Sequence, residues 1–446
     1  MNQICPLEYR YSSNELRSIL SRKNLLNKMV IIEKTLLKTL ARHRLIPMEC
    51  LEEIDRVDVE IKPEEITVLE ERYGHEVMAL TKVLADKLGV CGRYVHLGFT
   101  SNDVIDTSWA LIIRESLELL MDKLVVLINK LTQLTRKYRD LIMIGRTHGQ
   151  HALPVTLGFK FANYLYELTR SYERLRHVYN NIVKCKVSGA VGTLAAWRDK
   201  GLDIQESICR ELGLEPYLIT TQIAPRDGYA ELLSILGIIG SQLDRLALEI
   251  RELARPEINE LVVEPPMISS STMPHKKNPV RAERVSGLAR VLRGFVVSGL
   301  ENIVLMHERD LSNSSFERIV LPHSLLILDQ ILEDTLWILD HLKVNTEAIM
   351  GNIELSKKTF ASECIMVKLV TEKNMDRFEA HRLLSKLVDE TLGSNKSFRE
   401  VLLDSVVSKL LSIEEIDECL DPGNYLGSYN KIIDRVLGYV EKTIGG

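Results

Sequence analysis

A chain of 446 residues, 45% hydrophobic and 27% charged, is long enough to bury a large core or several smaller ones. Its formal net charge of -5 and pI near 6.2 give no sign of a surface built to coat nucleic acid or an anionic membrane. An anionic small molecule is not excluded, because one pocket can be basic on a slightly acidic protein.

The N-terminus, MNQICPLEYRYSS, lacks the basic-then-apolar order of a secretory signal, and charges break every apolar stretch before about 18 residues. Seven cysteines stand at 5, 50, 91, 185, 209, 364 and 419, with no CxxC pair and no zinc-site spacing. The odd number argues against a complete disulfide framework and predicts a reducing compartment.

Helical periodicity runs through most of the chain. Leu117, Leu120, Leu124, Leu127, Leu131 and Leu134 alternate steps of three and four, which keeps one face apolar over several turns. Pro154 before Val155 predicts a helix start, and 155–180 reads as helix. Gly189 and Gly192 interrupt the pattern. A second long helix is expected over Tyr229–Leu253, with Leu232, Ile239, Leu246 and Leu253 on one heptad position and Leu236, Leu243 and Ile250 on another. Residues 262–282 carry four prolines and no amphipathic period, which predicts a loop. The stretch 321–342 is again helical. Beyond 343 the segments shorten, and DPGNYLG reads as a turn. The fold class is therefore all-α, with soft boundaries dividing the chain into 1–106, a central long-helix bundle over 107–343, and 344–446. The run LVVLI is strand-like in composition but lies inside the heptads.

Four polar stretches interrupt this pattern: HLGFTSNDVIDT at 96–107, GRTHGQH at 145–151, SSSTMPHKKNPVRAER at 269–284 and HERDLSNSSFER at 307–318. TTQIAPRD at 220–227 lies between the second and third. Histidines exchange protons near neutrality, Arg and Lys clamp carboxylates or phosphate, and a serine-rich loop offers hydroxyls and backbone donors to oxyanions. The bland readings are a solvated Lys276–Lys277 face, loop filler at Ser269–Ser271 and a salt-bridged helix at HERD. His43, His177, His307, His323, His341 and His381 lie in helix-like stretches, and most of them read as structural or surface. HExxH, GxSxG, GxGxxG and P-loop patterns are absent.

The stretch Ser270-Ser271-Thr272-Met273-Pro274-His275-Lys276-Lys277-Asn278-Pro279 resembles the signature loop of the fumarase/aspartase superfamily, preceded in the expected order by FTSNDVIDT and GRTHGQHALP. ERYGHEVMAL at 71–80, TTQIAPRD, HERDLSNSSFER and YRYS at 9–12 are similar to segments of its adenylosuccinate lyase branch. The resemblance covers essentially the whole chain. It implies the three-domain all-α fold of that superfamily and a β-elimination that releases fumarate, from adenylosuccinate to give AMP and from SAICAR to give AICAR. It implies no metal or organic cofactor, small purine nucleotides as partners, no nucleic acid or membrane partner, a cytoplasmic enzyme, and a homotetramer whose sites draw on three subunits. The alternatives are argininosuccinate lyase or the cycloisomerase branch, and a non-enzymatic homologue of the lens crystallin kind.

The resemblance also implies roles. Ser270 is the candidate base, six residues before Lys276; spacing by itself does not separate it from Ser271. His148 is the candidate acid, with Glu283 as its orienting partner, and His75 a second substrate-contacting histidine. Lys276, Asn278, Thr100 and Ser101 are expected at the succinyl carboxylates, and Gln222 near the scissile bond. Arg10, Tyr11, Arg309, Ser314 and Arg318 are expected at the nucleotide and its phosphate. Ser314 and Arg318, four apart, share a face if that stretch is helical. One departure stands out: the family usually opens this loop Gly-Ser-Ser, whereas this chain has Ser269-Ser270-Ser271, and serine reaches glycine's torsions less easily.

Overall fold

The computed structural model describes residues 4–57, 61–264, 273 and 275–445. The first helices start where the sequence supplies an oxygen for their unpaired amides. Ser13 and Ser21 accept from Leu16 and Asn24 and so cap α1 (Asn14–Ile19) and α2 (Arg22–Arg42). α3 (Cys50–Arg56) follows, then α4 (Pro63–Tyr73), entered by a proline where no donor is needed. Gly74 closes α4, and His75 caps α5 (Glu76–Lys87).

The long elements are α6 (Ser101–Lys137), α7 (Leu157–Ile182), α9 (Asp227–Leu253), α10 (Val280–Glu301) and α11 (Ser312–Asp340), with the shorter α8 (Gly201–Glu211) between. The 37 residues of α6 span about 55 Å at the helical rise. All six leucines of its heptad seam are buried, as are all seven heptad residues of α9. Gly240 marks a close approach of the long helices: a Cβ there would lie 2.9 Å from Leu292 on α10 and 3.7 Å from Ile331 on α11. The remaining helices are α12 (Thr346–Leu355), α13 (Ala361–Thr371), α14 (Arg377–Leu392), α15 (Phe398–Leu403), α16 (Ile413–Leu420) and α17 (Tyr429–Ile444). Ser397 with Glu400 and Ser412 with Glu415 form capping boxes for α15 and α16. The expected all-α class holds, with small two-stranded additions.

Those additions correct one expectation. Pro154 does not open a helix; it lies in β2 (Gln150–Thr156), paired antiparallel with β1 (Ile142–Thr147), and α7 begins only at Leu157. A strand of this hairpin tolerates proline because only one neighbour demands hydrogen bonds. β3 (Lys184–Cys185) pairs with β4 (Glu215–Pro216), and β5 (Leu261–Val263) with β6 (Leu342–Val344). The predicted loop 262–282 accordingly begins inside β5 and ends inside α10. His307–Asp310 is turn and loop rather than helix, and His307 has a φ of 51°.

The chain folds as two compact units. One comprises 1–124, 171–243 and 285–333; the other comprises 125–170, 244–284 and 334–446. In the first, α2, α5 and α8 contribute Leu36, Leu37, Leu80, Leu84, Ile204 and Ile208 to one core.

The reading against a disulfide framework is overturned for six of the seven cysteines. Cys50–Cys91, Cys185–Cys209 and Cys364–Cys419 are disulfide-bonded, each with Cα atoms 5.6 Å apart, and Cys5 is the free one. An odd total leaves one thiol over but does not prevent the rest from pairing. The spacing in sequence carried no signal because each pair is closed by packing between distant segments. No helix among the described residues is long and apolar enough to cross a membrane.

Candidate active site

His148 sits at the tip of the β1–β2 hairpin. Thr147 faces Gln150, so the loop is two residues long, and His148 and Gly149 both have positive φ, 55° and 75°. That is the signature of a type I′ turn, whose twist matches the flanking strands. The histidine therefore projects into solvent on a tight, defined support. Arg146, two residues back, makes paired bonds of 2.9 and 2.8 Å to the fully buried carboxylate of Glu260, which also accepts from Asn352 at 2.9 Å. These bonds tie the tip end of β1 to the residue preceding β5.

Ser270 lies outside the described residues, as do Ser269 and Ser271. Downstream, Lys276 is exposed and Asn278 half-buried, and Glu283 is exposed in the first turn of α10. That turn is anchored by Arg281 and Arg284, which both bind the buried Asp334, Arg281 at 2.9 Å. His148 and Glu283 do not meet within this chain; no bond joins them.

In the unit containing the N-terminus, segments far apart in sequence do converge. His75 Nε2 lies 3.2 Å from the Ser101 hydroxyl. Thr100 precedes α6, and its N–H donates to Asp103 at 2.7 Å. Asp103 also accepts from the amides of Ser188 and Gly189 and from the ammonium of Lys186 at 2.7 Å; both charged side chains are fully buried. His96, four residues before Thr100, has Nδ1 2.6 Å from Glu33. Burial opposes the charge on His96, but the bond to Glu33 and its negative charge more than offset this and raise the imidazole above its ordinary value.

Gln222 and Arg309 also meet. Arg309 Nη1 donates to Gln222 Oε1 at 3.1 Å, and its Nε donates to Asn313 Oδ1 at 3.4 Å. Beneath them Arg226 bridges two buried carboxylates, with bonds of 2.8 and 2.9 Å to Asp106 and 2.8 and 3.1 Å to Glu317. Burial works against the charge of Asp106, yet Arg226 holds the group below the usual carboxylate range. Thr221, Ile223, His307 and Glu308, sequence neighbours of Gln222 and Arg309, are among the residues lining a cavity of about 420 Å³.

Arg10 lies over the ring of Tyr11, 5.9 Å from its centroid. The pair is followed by Ser12 and Ser13, which donate to Asp329 at 2.9 and 2.7 Å and so fasten the N-terminal segment to α11. Ser314 and Arg318 are in the first turns of α11, four apart as expected for one face, with Arg318 exposed.

The sequence reading passed over Glu33, His96, Asp103, Lys186, Arg226, Glu317 and Glu260. His96, Asp103, Arg226 and Glu317 lay inside the motifs already singled out. Glu33 and Lys186 had no such signal, because they are charged residues in otherwise ordinary stretches. Among the described residues, no group of three or more His, Cys, Asp or Glu is disposed to hold a metal ion.

Residues 8–294 match a family model described as Lyase, and residues 359–436 match one described as Adenylosuccinate lyase C-terminus. Adenylosuccinate lyase from Pyrococcus horikoshii is 43% identical over 98% of this chain and 98% of its own. The corresponding proteins of Methanothermobacter thermautotrophicus and Aquifex aeolicus are 40% identical over 99% of this chain and 100% of their own, and 39% identical over 96% and 98%. Among solved structures, a fumarate lyase from Mesorhizobium sp. BNC1 superposes with a TM-score of 0.88 at 29% identity, covering 96% of this chain and 98% of that one. The 3-carboxy-cis,cis-muconate lactonizing enzyme of Pseudomonas putida gives 0.87 at 29% identity, covering 98% and 99%.

Proposed function

The chain belongs to the adenylosuccinate lyase family of the fumarase/aspartase superfamily, and from that premise we propose how its residues divide the reaction. The enzyme is a C–N lyase that eliminates fumarate from adenylosuccinate to leave AMP; SAICAR, giving AICAR, is its second substrate. A base removes the proton beside a carboxylate, donors stabilise the aci-carboxylate that forms, and an acid protonates the departing nitrogen.

Ser270 is the base, activated by neighbouring cations, backbone donors and exclusion of water. His148 is the acid, and Glu283 orients it. Lys276, Asn278, Thr100 and Ser101 hold the succinyl carboxylates. His75 touches the substrate beside Ser101, and Gln222 lies at the scissile bond. Arg10, Tyr11, Arg309, Ser314 and Arg318 receive the nucleotide and its phosphate. The observation that carries this division is the convergence of separate motifs: His75 with Ser101, and Gln222 with Arg309.

We assign the protein to the cytoplasm and to a homotetramer with shared sites. Two features support the assembly. His148 and Glu283 are both exposed, as a pair completed by neighbouring subunits requires. Val297, Leu300, Val304 and Leu311 on and after α10 are 64, 54, 79 and 71% exposed in the single chain, which is apolar surface that association would cover. The chain divides at 107 and 343 into three segments, a division supported by the 359–436 match lying within the third.

The test is an ultraviolet assay of adenylosuccinate cleavage with fumarate and AMP identified as products, run beside Ser270→Ala. Turnover abolished in the variant supports Ser270 as base. Full activity in Ser270→Ala moves that role to another group, Ser271 first.

A further inference from the structure

Arg309 is a half-buried guanidinium to which no carboxylate is bonded among the described residues. Burial pulls its proton affinity down from the ordinary value, and the two side chains it binds, Gln222 and Asn313, are neutral amides that accept through their oxygens. Three carboxylates lie close by, and the fold directs each of them elsewhere. Asp310, the next residue, is held down at about 2 first by the Ser312 side chain and then by the backbone N–H groups it accepts from, Met306 at 2.8 Å and Ser312 at 2.7 Å. Asp106 faces Arg226 and the amide of Ala224. Glu317 accepts from Arg226, from Asn302 at 3.0 Å and from Asn313 at 3.1 Å.

Asn313 connects the last of these to Arg309. It is 1% exposed and stands one helical step from Glu317, on the same face of α11. A carboxylate only accepts, so the Asn313 NH2 must face Glu317, and its oxygen must then face Arg309. The amide thus passes on the position of a charged network without passing on its negative charge.

We propose that Asn313 is a positioning residue, orienting Arg309 toward the phosphate end of the nucleotide while leaving the guanidinium's charge uncancelled. This rests on the placement of Arg309 at the phosphate given above. An aspartate at 313 would occupy nearly the same volume but would ion-pair with Arg309, and the anion would lose its counter-charge.

The experiment compares Asn313→Asp, Asn313→Ala, Arg309→Met and the double variant Asn313→Asp/Arg309→Met in the full chain. It records kcat, KM for adenylosuccinate, and inhibition by the two products separately. AMP carries the phosphate; fumarate reports the other end of the site. Asn313→Asp is expected to raise KM and the AMP inhibition constant roughly ten- to a hundredfold, the range of a lost charge-assisted bond. Inhibition by fumarate and kcat should stay within about twofold. Asn313→Ala, which adds no buried charge, should shift AMP inhibition in the same direction by less. On the Arg309→Met background, Asn313→Asp should change AMP inhibition by less than about twofold, since the residue it acts through is gone. Equal weakening of AMP and fumarate would mean a general disturbance of the site and overturn the proposal. Arg309→Met weakening AMP while both Asn313 variants leave it untouched would overturn the proposal and keep Arg309 at the phosphate. Unchanged AMP inhibition in Arg309→Met would remove that placement, and the proposal with it.

Discussion

Glu33 accepts two bonds from one residue, the imidazole of His96 at 2.6 Å and its backbone N–H at 3.0 Å. The carboxylate is fully buried and the imidazole mostly so, with 19% of its side chain exposed. His96 has a φ of 64°, so this contact also holds a non-glycine residue in left-handed backbone four residues before Thr100.

The pair makes stability depend on pH. The folded-state value of His96 is raised above its ordinary 6.5. Its contribution is therefore fully present below that value and is lost as pH rises through the folded value. Removing the charge with Glu33→Gln should lower Tm more at about pH 6 than at about pH 9. An NMR titration should show the His96 midpoint falling in the variant. A Tm difference that grows with pH would contradict this account.

Arg226 holds two buried carboxylates at once. Arg226→Met leaves Asp106 and Glu317 together without their cation, and should cost about 3–5 kcal/mol in a chemical unfolding experiment. Arg226→Lys keeps the charge but not the fork that meets two oxygens on either side, so its midpoint should fall between. A midpoint in Arg226→Met equal to that of the parent would show that the network adds nothing.

The hairpin tip separates fold from chemistry. Asparagine is among the residues most tolerant of positive φ, so His148→Asn should leave Tm nearly unchanged while kcat falls roughly 10²–10⁴-fold, the usual effect of removing a general acid. Gly149→Val should lower Tm as well. A β-branched residue in left-handed backbone is strained, so the hairpin itself should loosen and Tm should drop. Full turnover in His148→Asn would remove it as the acid.

The disulfides make a prediction that counts atoms. Denatured protein never exposed to reductant should show one reactive thiol, Cys5, and reduction should release all seven. The bridges span 41, 24 and 55 residues. Chain-entropy reasoning assigns a bridge of this kind about 3–4 kcal/mol. Cys364→Ser/Cys419→Ser should accordingly lower Tm, and adding reductant should lower it further through the other two bridges. Seven thiols titrating without reductant would refute the pairing.

How far the sequence could be read depended on how local the information was. The heptads of α6 and α9 were legible because a 3.6-residue period needs only neighbouring residues to declare a buried face. The caps at Ser397 and Ser412 are as local. The β1–β2 hairpin was missed because its turn is built on His148-Gly149 rather than on Asn-Gly or Asp-Gly, and the proline in β2 reads as a helix start. Motif order identified the chemical class and brought His75, Ser101, Gln222 and Arg309 forward before any contact was known.

By itself, then, the sequence determined the helical class, the two great amphipathic helices and the motifs that identify the lyase family, all of which are written within a few turns of chain. Only the tertiary structure decided that Asp106 and Glu317 share Arg226, that Glu33 serves His96, that Asp103 serves Lys186, and which cysteines pair. Those partners lie 120, 91, 63, 83 and between 24 and 55 residues apart. A buried charge must find an opposite charge, and a buried thiol can meet another, but nothing in the local pattern names which one. That choice is made by the packing of helices, which brings distant residues within bonding distance and excludes the water that would otherwise satisfy them.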